Sequence, residues 1–449
     1  MPVSENPPPL HRIPEGSGNI RLSSHLSCKY HLSAVSLSRE APLFLFSLLQ
    51  RLRDVYKRQE FTSKGSVANL FDVSAVFHPV SSEYRSCISN FRVSYEQRFI
   101  TKQSDSQFCT NISPCSYDAV SYTHLRRDAI CKADGPAIDY SYHIGVGDVT
   151  TPEMLASMDE CVKRGVTSFK VFMVYDFGVD DGQFFETLQH AAKIGALVGV
   201  HAENRDVNNC LIKEYLAEGK TDAWYHYMSK NEAVAGEADV RAINLAKMAG
   251  TSLYIVHLDN KQGVDAVAQA REEGYPIFAE TCPQYLAFTK EVYKNGIPEL
   301  DLRARDFVCS PPMKGKESLE SLWNGIKNGT VSTLATDHCP FLKSEKDWGI
   351  TKKDGTPGNF TTIPNGCAGI ENMYPYILSE ANKGRISFEK AVQISATNPA
   401  KLFGIDYCKG AIEVGLDADI VIYDPKKEFV VKNAENQHGA LDHTIWRCV

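Results

Sequence analysis

Four polar residues lie where they could do chemistry, because each accompanies a short apolar run. Lys170 lies within the run TSFKVFMVY of residues 167–175, and His201, His257 and Asp337 each follow such a run directly. A lysine in a buried run either extends its head group to solvent or has a functional reason to be there. Imidazole and carboxylate groups bind zinc and related divalent ions. One such residue alone is more often a hydrogen-bonded structural group, whereas the set of four predicts a metal site.

The apolar runs are typical of strands that alternate with helices. Between them, apolar spacing predicts helices, one of which has Asp181 as its N-cap and Gly195 as its stop. Largely apolar strands joined by helices pair in parallel, with both faces of the sheet covered. Strands are predicted at residues 138–146, 167–175, 196–200, 252–256, 276–279 and 331–336.

Two parallel architectures fit this alternation. A doubly wound sheet would carry a glycine-rich loop after a strand, but no G-x-G-x-x-G motif follows one, and GVGDVT at residues 145–150 is a poor match. In a (β/α)₈ barrel, polar residues at the carboxyl ends of the strands form the active site. The positions of His201, His257 and Asp337 at three such ends favour the barrel.

The composition excludes several classes of protein. The chain of 449 residues, 43% hydrophobic and 23% charged, suits a globular protein with a sizeable core. The longest early apolar run, residues 41–49, is too short to span a bilayer and too far from the start for a signal peptide. The 13 cysteines include no C-x-x-C pair, which argues against a disulfide framework or a thiolate zinc site. With a net charge of -7, the sequence predicts a cytoplasmic protein without nucleic-acid or membrane partners.

A seam in composition lies near residue 130. Residues 1–130 hold three of the 30 glycines and have a formal charge of +4, whereas the rest of the chain has a charge of -11. The peptides at residues 53–59 and 120–129 are similar to translations of sequencing adapters. Residues 1–130 are therefore expected to be an atypical segment, either poorly ordered or joined from an unrelated reading frame. A genuine serine-rich extension stays open as the alternative.

The chain beyond the seam carries a series of specific motifs. They are FKVFMVY with Lys170, VHAEN with His201, IVHL with His257, ETCPQYL, CSPPMK, ATDHCPF with Asp337, and IPNG with Asn365. With TNPAKLFG and KGAIEVGLDADIVIYDP, they resemble the dihydropyrimidinase and D-hydantoinase family of the amidohydrolase superfamily over residues 133–445. Members of that family open cyclic amides, such as dihydrouracil or 5-substituted hydantoins, by adding water across the C–N bond.

The resemblance implies an α/β fold with two domains after the seam. Residues 131–408 would form a TIM-barrel metal-dependent hydrolase domain that is incomplete, with strands 3–8 of the barrel recognisable. Residues 409–449 would be a truncated remnant of a small β-sandwich, because the family continues beyond DHTIW at residues 442–446. The family forms homotetramers, and the shorter carboxyl end argues against one here.

The resemblance also implies which residues hold metal. Lys170 would be carboxylated and bridge two divalent metal ions, with zinc expected and manganese as the alternative. His201 and His257 would bind the second metal. Asp337 would bind the first metal and act as the general base toward the bridging hydroxide.

Three further residues take roles from the same resemblance. Tyr175 would donate a hydrogen bond to the oxyanion of the tetrahedral intermediate. Ser310 and Asn365 would bind the edge of the cyclic amide, largely through their backbone groups. Without the family, these two residues would be turn residues beside Pro311 and Gly366.

One motif of the family is missing. The family takes two ligands of the first metal from an H-x-H motif far upstream of the lysine, and no H-x-H occurs in this sequence. His78 lies upstream, but its surroundings in VFHPV do not match. The expectation is therefore at most one metal ion per chain and impaired hydrolysis.

Other functions remain open beside the hydrolase. A non-catalytic scaffold, like the dihydropyrimidinase-related proteins, would have no need of Lys170, His201, His257 and Asp337. A chimeric reading frame would have no function of its own. Allantoinase and dihydroorotase are the nearest enzymatic competitors, and the motifs from CSPPMK to IPNG favour the hydantoin and dihydropyrimidine branch over them.

Overall fold

The computed structural model describes residues 138–139, 141–147, 152–431 and 442–446. The expectations for residues 1–130, including His78, lie outside these residues. Within residues 409–431 the structure contains no strand, and the division into domains at residues 130 and 408 stays a prediction.

In the described ranges, six strands form one parallel sheet in the order of the chain. The order β1-β2-β3-β4-β5-β6 has no reversal, as expected for consecutive strands of a barrel rather than for a doubly wound sheet. In register, Lys170 of β2 lies opposite Gly199 of β3. The strands are β1 Ile144–Val146, β2 Ser168–Phe172, β3 Leu197–His201, β4 Leu253–Ile255, β5 Ile277–Thr281 and β6 Thr333–Leu334.

The helices cover the sheet and fill the connections between its strands. The segment between β3 and β4 holds three helices, whereas the apolar spacing of the sequence predicts a single helix there, over residues 233–249. The α-helices are α1 Pro152–Lys163, α2 Asp181–Ile194, α3 Arg205–Ala217, α4 Ala223–Ser229, α5 Glu232–Ala249, α6 Lys261–Glu272, α7 Pro283–Ala287, α8 Val292–Asn295, α9 Lys316–Asn328, α10 Lys343–Lys346, α11 Met373–Asn382, α12 Phe388–Val392 and α13 Asn398–Leu402. No helix in these ranges combines the length and apolar character needed to cross a membrane.

The helix α2 shows how local sequence fixes an element. Its N-cap is Asp180 rather than the expected Asp181, because the Asp180 carboxylate accepts the Gln183 backbone N–H at 2.8 Å. The Gln183 side chain accepts the Asp180 N–H at 2.9 Å in return, which completes a capping box. The helix ends at Gly195, whose φ of 68° is a left-handed conformation that favours glycine.

The core lies between the strands and their helices. Phe169 and Val171 of β2 are almost fully buried, as are Phe184 and Leu188 of α2. Burying each such side chain contributes roughly 1.5–3 kcal/mol. The sheet is therefore held by apolar packing on the face that the helices cover, which leaves its carboxyl edge for polar groups.

Residues 442–446 pack onto the same body. The Trp446 side chain is buried, and its Nε1 donates to the Ala368 carbonyl at 2.8 Å. Its ring lies 5.6 Å from the rings of both Phe288 and Tyr376, measured between centroids. The Asp442 carboxylate accepts the backbone N–H of Lys343, the first residue of α10, at 2.8 Å. This segment thus closes the molecule next to the loops that follow β6.

Candidate active site

The four predicted ligands follow four parallel strands to one edge of the sheet. Lys170 lies within β2, His201 ends β3, His257 follows β4 and Asp337 follows β6. Burial lowers the pKa of Lys170 to about 8, and the negative charges of Glu280 and Asp337 oppose this fall. The structure therefore brings these groups within electrostatic range of one another.

The two histidines meet edge to face. Their ring centroids are 4.5 Å apart, with an angle of 76° between the ring planes. Burial lowers the pKa of His201 to about 4 and holds that of His257 well below its ordinary value. Both rings are therefore neutral at pH 7, which is the form that binds metal ions. The buried Nδ1 of His257 has no hydrogen-bond partner among the described residues.

A buried ion pair lies behind His201. The Glu203 carboxylate accepts from His201 Nε2 at 2.7 Å and from Lys230 Nζ at 2.7 Å. Burial alone would raise the pKa of Glu203, but the Lys230 ammonium and the bond from His201 outweigh it and hold this pKa well below its usual range. Nε2 of His201 therefore carries the proton, and Nδ1 is left as the nitrogen with a free lone pair.

Sequence reasoning gave no role to Glu203, Lys230 or Glu280. Glu203 and Glu280 lie inside the motifs VHAEN and ETCPQYL, which was the available signal, whereas Lys230 belongs to none of the quoted motifs. Glu280 accepts from the Tyr254 hydroxyl at 2.6 Å and from the His257 backbone N–H at 3.1 Å, so it fixes the peptide that carries His257.

The backbone is strained at three candidate residues. In the described ranges, four residues other than glycine have positive φ, and three of them are Tyr175 at 70°, His257 at 39° and Asp337 at 45°. Such conformations cost about 1–3 kcal/mol each and concentrate at functional sites. The predicted strand of residues 167–175 therefore ends early, at Phe172, and the chain turns to present Tyr175.

Burial raises the pKa of two candidate acids, Tyr175 and Asp337. Burial raises the pKa of the Tyr175 phenol, and the charge of Glu203 raises it further. The Tyr175 ring lies 5.6 Å from the His201 ring, between centroids, and the Lys230 ammonium lies 5.4 Å from its centre. Asp337 is exposed as a whole residue, yet surrounding protein atoms desolvate its carboxyl group and raise its pKa against the effect of the Lys170 charge.

Ser310 and Asn365 bring unpartnered polar atoms to the same region. Within the part of the chain that the structure describes, the Ser310 Oγ and the Asn365 Oδ1 are both buried without a hydrogen-bond partner. The Ser310 side chain faces the Tyr175 phenol and lowers its pKa, although the geometry falls short of a hydrogen bond. The two loops are joined directly, because the Gly366 N–H donates to the Val308 carbonyl at 3.0 Å.

The His201, His257 and Asp337 side chains do not by themselves form a three-ligand metal site. Among the described residues, no three histidine, cysteine, aspartate or glutamate side chains converge in a way that could hold a metal ion. Asp337 therefore does not form one such group with His201 and His257. A site built here needs Lys170 as a further ligand.

Comparisons with known proteins all point to amidohydrolases. The amidohydrolase family model matches residues 165–442. The chain is 40% identical over 318 residues to a D-hydantoinase of Streptomyces coelicolor, covering 70% of this chain and 66% of the relative. A D-hydantoinase of Geobacillus stearothermophilus is 42% identical over 318 residues, covering 70% and 65%. The chain thus spans just under two thirds of the length of these two relatives.

Solved structures give the same result for the fold. The D-hydantoinase of Bacillus sp. AR9 superposes with a TM-score of 0.66 at 39% identity, covering 72% of this chain and 70% of that one. The dihydropyrimidinase of Brevibacillus agri superposes with a TM-score of 0.66 at 37% identity, covering 73% and 69%. The barrel predicted from the motifs is confirmed by these superpositions.

Proposed function

The chain belongs to the amidohydrolase family, and from this premise we propose that its site hydrolyses cyclic amides of the hydantoin and dihydropyrimidine class. Water would be added across the C–N bond of the ring. The observation that supports this most is the convergence of Lys170, His201, His257 and Asp337 from four strands on one edge of the sheet.

The donor set fits a divalent metal ion. Hydantoinases of this family generally use two metal ions with a carboxylated lysine. His201 and His257 offer neutral imidazoles, and the unpartnered Nδ1 of His257 is a buried polar atom that a ligand bond would satisfy. Because burial lowers the pKa of Lys170 to about 8, its neutral amine, the form that takes up carbon dioxide, is accessible near neutral pH. A bound metal supplies a hydroxide at neutral pH and polarises the amide carbonyl.

Asp337 is proposed as the general base. Burial raises its pKa, which makes its carboxylate a stronger proton acceptor toward the attacking water. The charge on Lys170 opposes this effect, so carboxylation of Lys170 would remove the opposing positive charge. The state of the lysine and the basicity of Asp337 are therefore linked.

Tyr175 is proposed as the oxyanion donor. Its raised pKa keeps the phenol protonated at neutral pH, so that it donates rather than accepts. Ser310 and Asn365 are proposed to bind the amide edge of the ring, with backbone groups of their two loops supplying most of the contacts. Their buried unpartnered oxygens support a polar ligand there, because buried polar atoms are normally hydrogen-bonded.

The missing H-x-H motif limits what this polypeptide is expected to do. The metal that Asp337 would share with that motif loses two ligands, so we propose at most one metal ion per chain and impaired turnover. The same absence favours a second candidate function, a non-catalytic scaffold related to dihydropyrimidinases. Retention of Lys170, His201 and His257 argues against the scaffold. Zinc as the metal and a cytoplasmic location stay predictions from the sequence.

A metal analysis with a hydrolysis assay tests both candidates. The purified chain is assayed on dihydrouracil and 5-phenylhydantoin, beside Asp337→Asn and the control His190→Asn on α2, whose half-buried side chain pairs with Asp159 of α1. We expect at most one metal ion per chain and slow ring opening that Asp337→Asn abolishes and His190→Asn leaves unchanged. Neither hydrolysis nor binding of either amide would favour the scaffold, and two bound metals with fast turnover would contradict the impairment.

A further inference from the structure

Lys346 is a buried cation that the reaction proposed above does not use. Its side chain, on α10, has no exposed surface, yet its Nζ donates three hydrogen bonds of 2.7 Å. The acceptors are the carbonyl oxygens of Val308, Pro364 and Gly366. An ammonium group has three donors, so every one of them is satisfied by backbone.

The three acceptors surround the proposed amide-binding residues. Val308 precedes Ser310 by two residues, and Pro364 and Gly366 lie on either side of Asn365. One side chain therefore joins the two loops that carry Ser310 and Asn365. Since α10 follows Asp337 in the chain, the same side chain ties both loops to the segment that carries the proposed base.

The lysine is itself held in place from outside. Asp347, the next residue, pairs with Arg303 at 2.5 Å and with Arg305 at 3.0 Å. The ring of Phe341 lies 5.5 Å from the Lys346 ammonium, measured to its centroid. Burial lowers the pKa of Lys346, so enclosing this group is unfavourable for its charged form. Burying an ammonium group is unfavourable unless it is hydrogen-bonded, so the role of Lys346 lies in its bonds to the three carbonyls.

We propose that Lys346 is a positioning residue that locks the Ser310 and Asn365 loops into one arrangement through backbone carbonyls. This rests on the proposed function, because the backbone groups of these loops are the ones assigned to the amide edge of the ring. A carbonyl drawn toward the ammonium fixes its whole peptide plane, including the N–H of the following residue. Lys346 thereby orients backbone N–H groups that it does not itself contact, and these groups stay free to bind the substrate.

Hydrogen exchange measured by mass spectrometry on the full chain tests the positioning directly. In Lys346→Met we expect amides of residues 308–313 and 363–369 to exchange at least about tenfold faster, with the strands unaffected. Lys343→Met is the matched control, because this lysine lies on the same short helix but bonds Asp301 at the surface. Exchange within about twofold of wild type in both loops would overturn the proposal.

Ligand binding supplies the functional readout. We expect the Kd or KM for 5-phenylhydantoin to rise about tenfold in Lys346→Met while kcat changes less than about threefold, as for a lost uniform binding interaction. Lys346→Gln keeps two N–H donors and should lie between. If Lys346→Met does not fold, the same measurements are made on Lys346→Gln. Faster hydrogen exchange throughout the barrel, or no faster exchange in the two loops, would overturn the proposal. A wild-type chain that binds no hydantoin would refute the proposed function, while exchange still decides the role of Lys346.

Discussion

Glu203 leaves His201 with only one ring nitrogen that can bind a metal ion. By taking the proton-bearing Nε2, the carboxylate leaves only Nδ1 to face the site, and it also neutralises the buried Lys230. Carboxylates that orient a ligand histidine in this way raise its basicity and fix its ring. Glu203 lies two residues from His201 in one motif, but its second partner, Lys230, follows helix α4 and could not be predicted from the sequence.

Replacing Glu203 should separate stability from metal affinity. Glu203→Gln leaves the Lys230 ammonium buried without a counter-charge, which we expect to cost about 3–5 kcal/mol. It should also weaken zinc binding about 10–100-fold, because the His201 ring loses its charged acceptor. Denaturant unfolding of the metal-free protein and a competitive zinc titration measure the two effects.

A double variant is the control for Glu203. In Glu203→Gln with Lys230→Met, both charges are gone, so stability should recover while zinc affinity stays low. Zinc affinity equal to wild type in either variant would show that Glu203 does not orient His201.

Asp239 is expected to make the protein less stable as pH rises. Burial, aided by the charge of Asp259, raises its pKa well above the ordinary value. A carboxyl group with a raised folded pKa stabilises the fold below its unfolded pKa, and this contribution is lost as pH rises through the folded pKa. Asp239→Asn removes the titration but keeps an acceptor for Asn260, which donates to Asp239 at 2.7 Å.

The pH series has a clear sign. Relative to Asp239→Asn, the wild-type free energy of unfolding should fall as pH is raised from about 4 toward neutrality. Urea unfolding at stepped pH measures it, with Asp265→Asn on the surface of α6 as the control. A difference that is flat with pH would contradict the predicted ionisation.

At the scale of elements, hydrophobic periodicity predicted which segments are strands better than it predicted where those strands end. The apolar run of residues 167–175 was expected to be one strand, but the ladder stops at Phe172, and Met173 and Val174 are buried in a turn instead. Burial therefore extends beyond the strand, although the Met173 N–H still donates to the His201 carbonyl at 3.0 Å, and a hydrophobic pattern does not mark where the strand ends. Helix α3 was not predicted, although Leu211, Ile212 and Leu216 pack against the core beside the buried Asn208 and Tyr215.

The N-cap of α2 gives a direct test of one corrected boundary. Asp180→Ala should cost about 1 kcal/mol, because it removes the acceptor for the Gln183 N–H. Asp181→Ala should cost no more than about 0.5 kcal/mol, since it removes only the partly exposed pair with Arg241. Urea unfolding of both variants compares them, and the reverse order of costs would restore Asp181 as the cap.

At the scale of the whole molecule, the fold was predictable and the loop contacts were not. The apolar runs predicted the six strands, and motifs that contain or follow four of these runs pointed to Lys170, His201, His257 and Asp337. Lys346 lies in the polar stretch KSEKD, which is typical of a solvated helix. It is buried only because segments far apart in sequence close over it, and local composition carries no sign of that.

The end strands predict how the molecule behaves at high concentration. Among the described residues, β1 pairs only with β2 and β6 pairs only with β5, so one edge of each is without a strand partner there. Such edges promote association between chains. We therefore expect light scattering to show oligomers that grow with protein concentration in the micromolar range.

A charge on β1 should suppress that association. No atom of the described residues lies within 4 Å of the position that a Cβ on Gly145 would take, so the substitution Gly145→Lys causes no clash there. Asn244→Lys on the outer face of α5 adds the same charge elsewhere and should leave the association unchanged. A wild-type chain that stays monomeric at all concentrations would contradict the open edge.

The burial of Trp446 has a consequence for the order of events during synthesis. Every candidate ligand, from Lys170 to Asp337, is translated before residue 340, whereas the ring that packs on Ala368 and Phe288 comes a hundred residues later. A nascent chain on the ribosome can therefore assemble the edge of the sheet before it can close the neighbouring loops. The pause between these two moments is the time in which a chaperone would find those loops still uncovered.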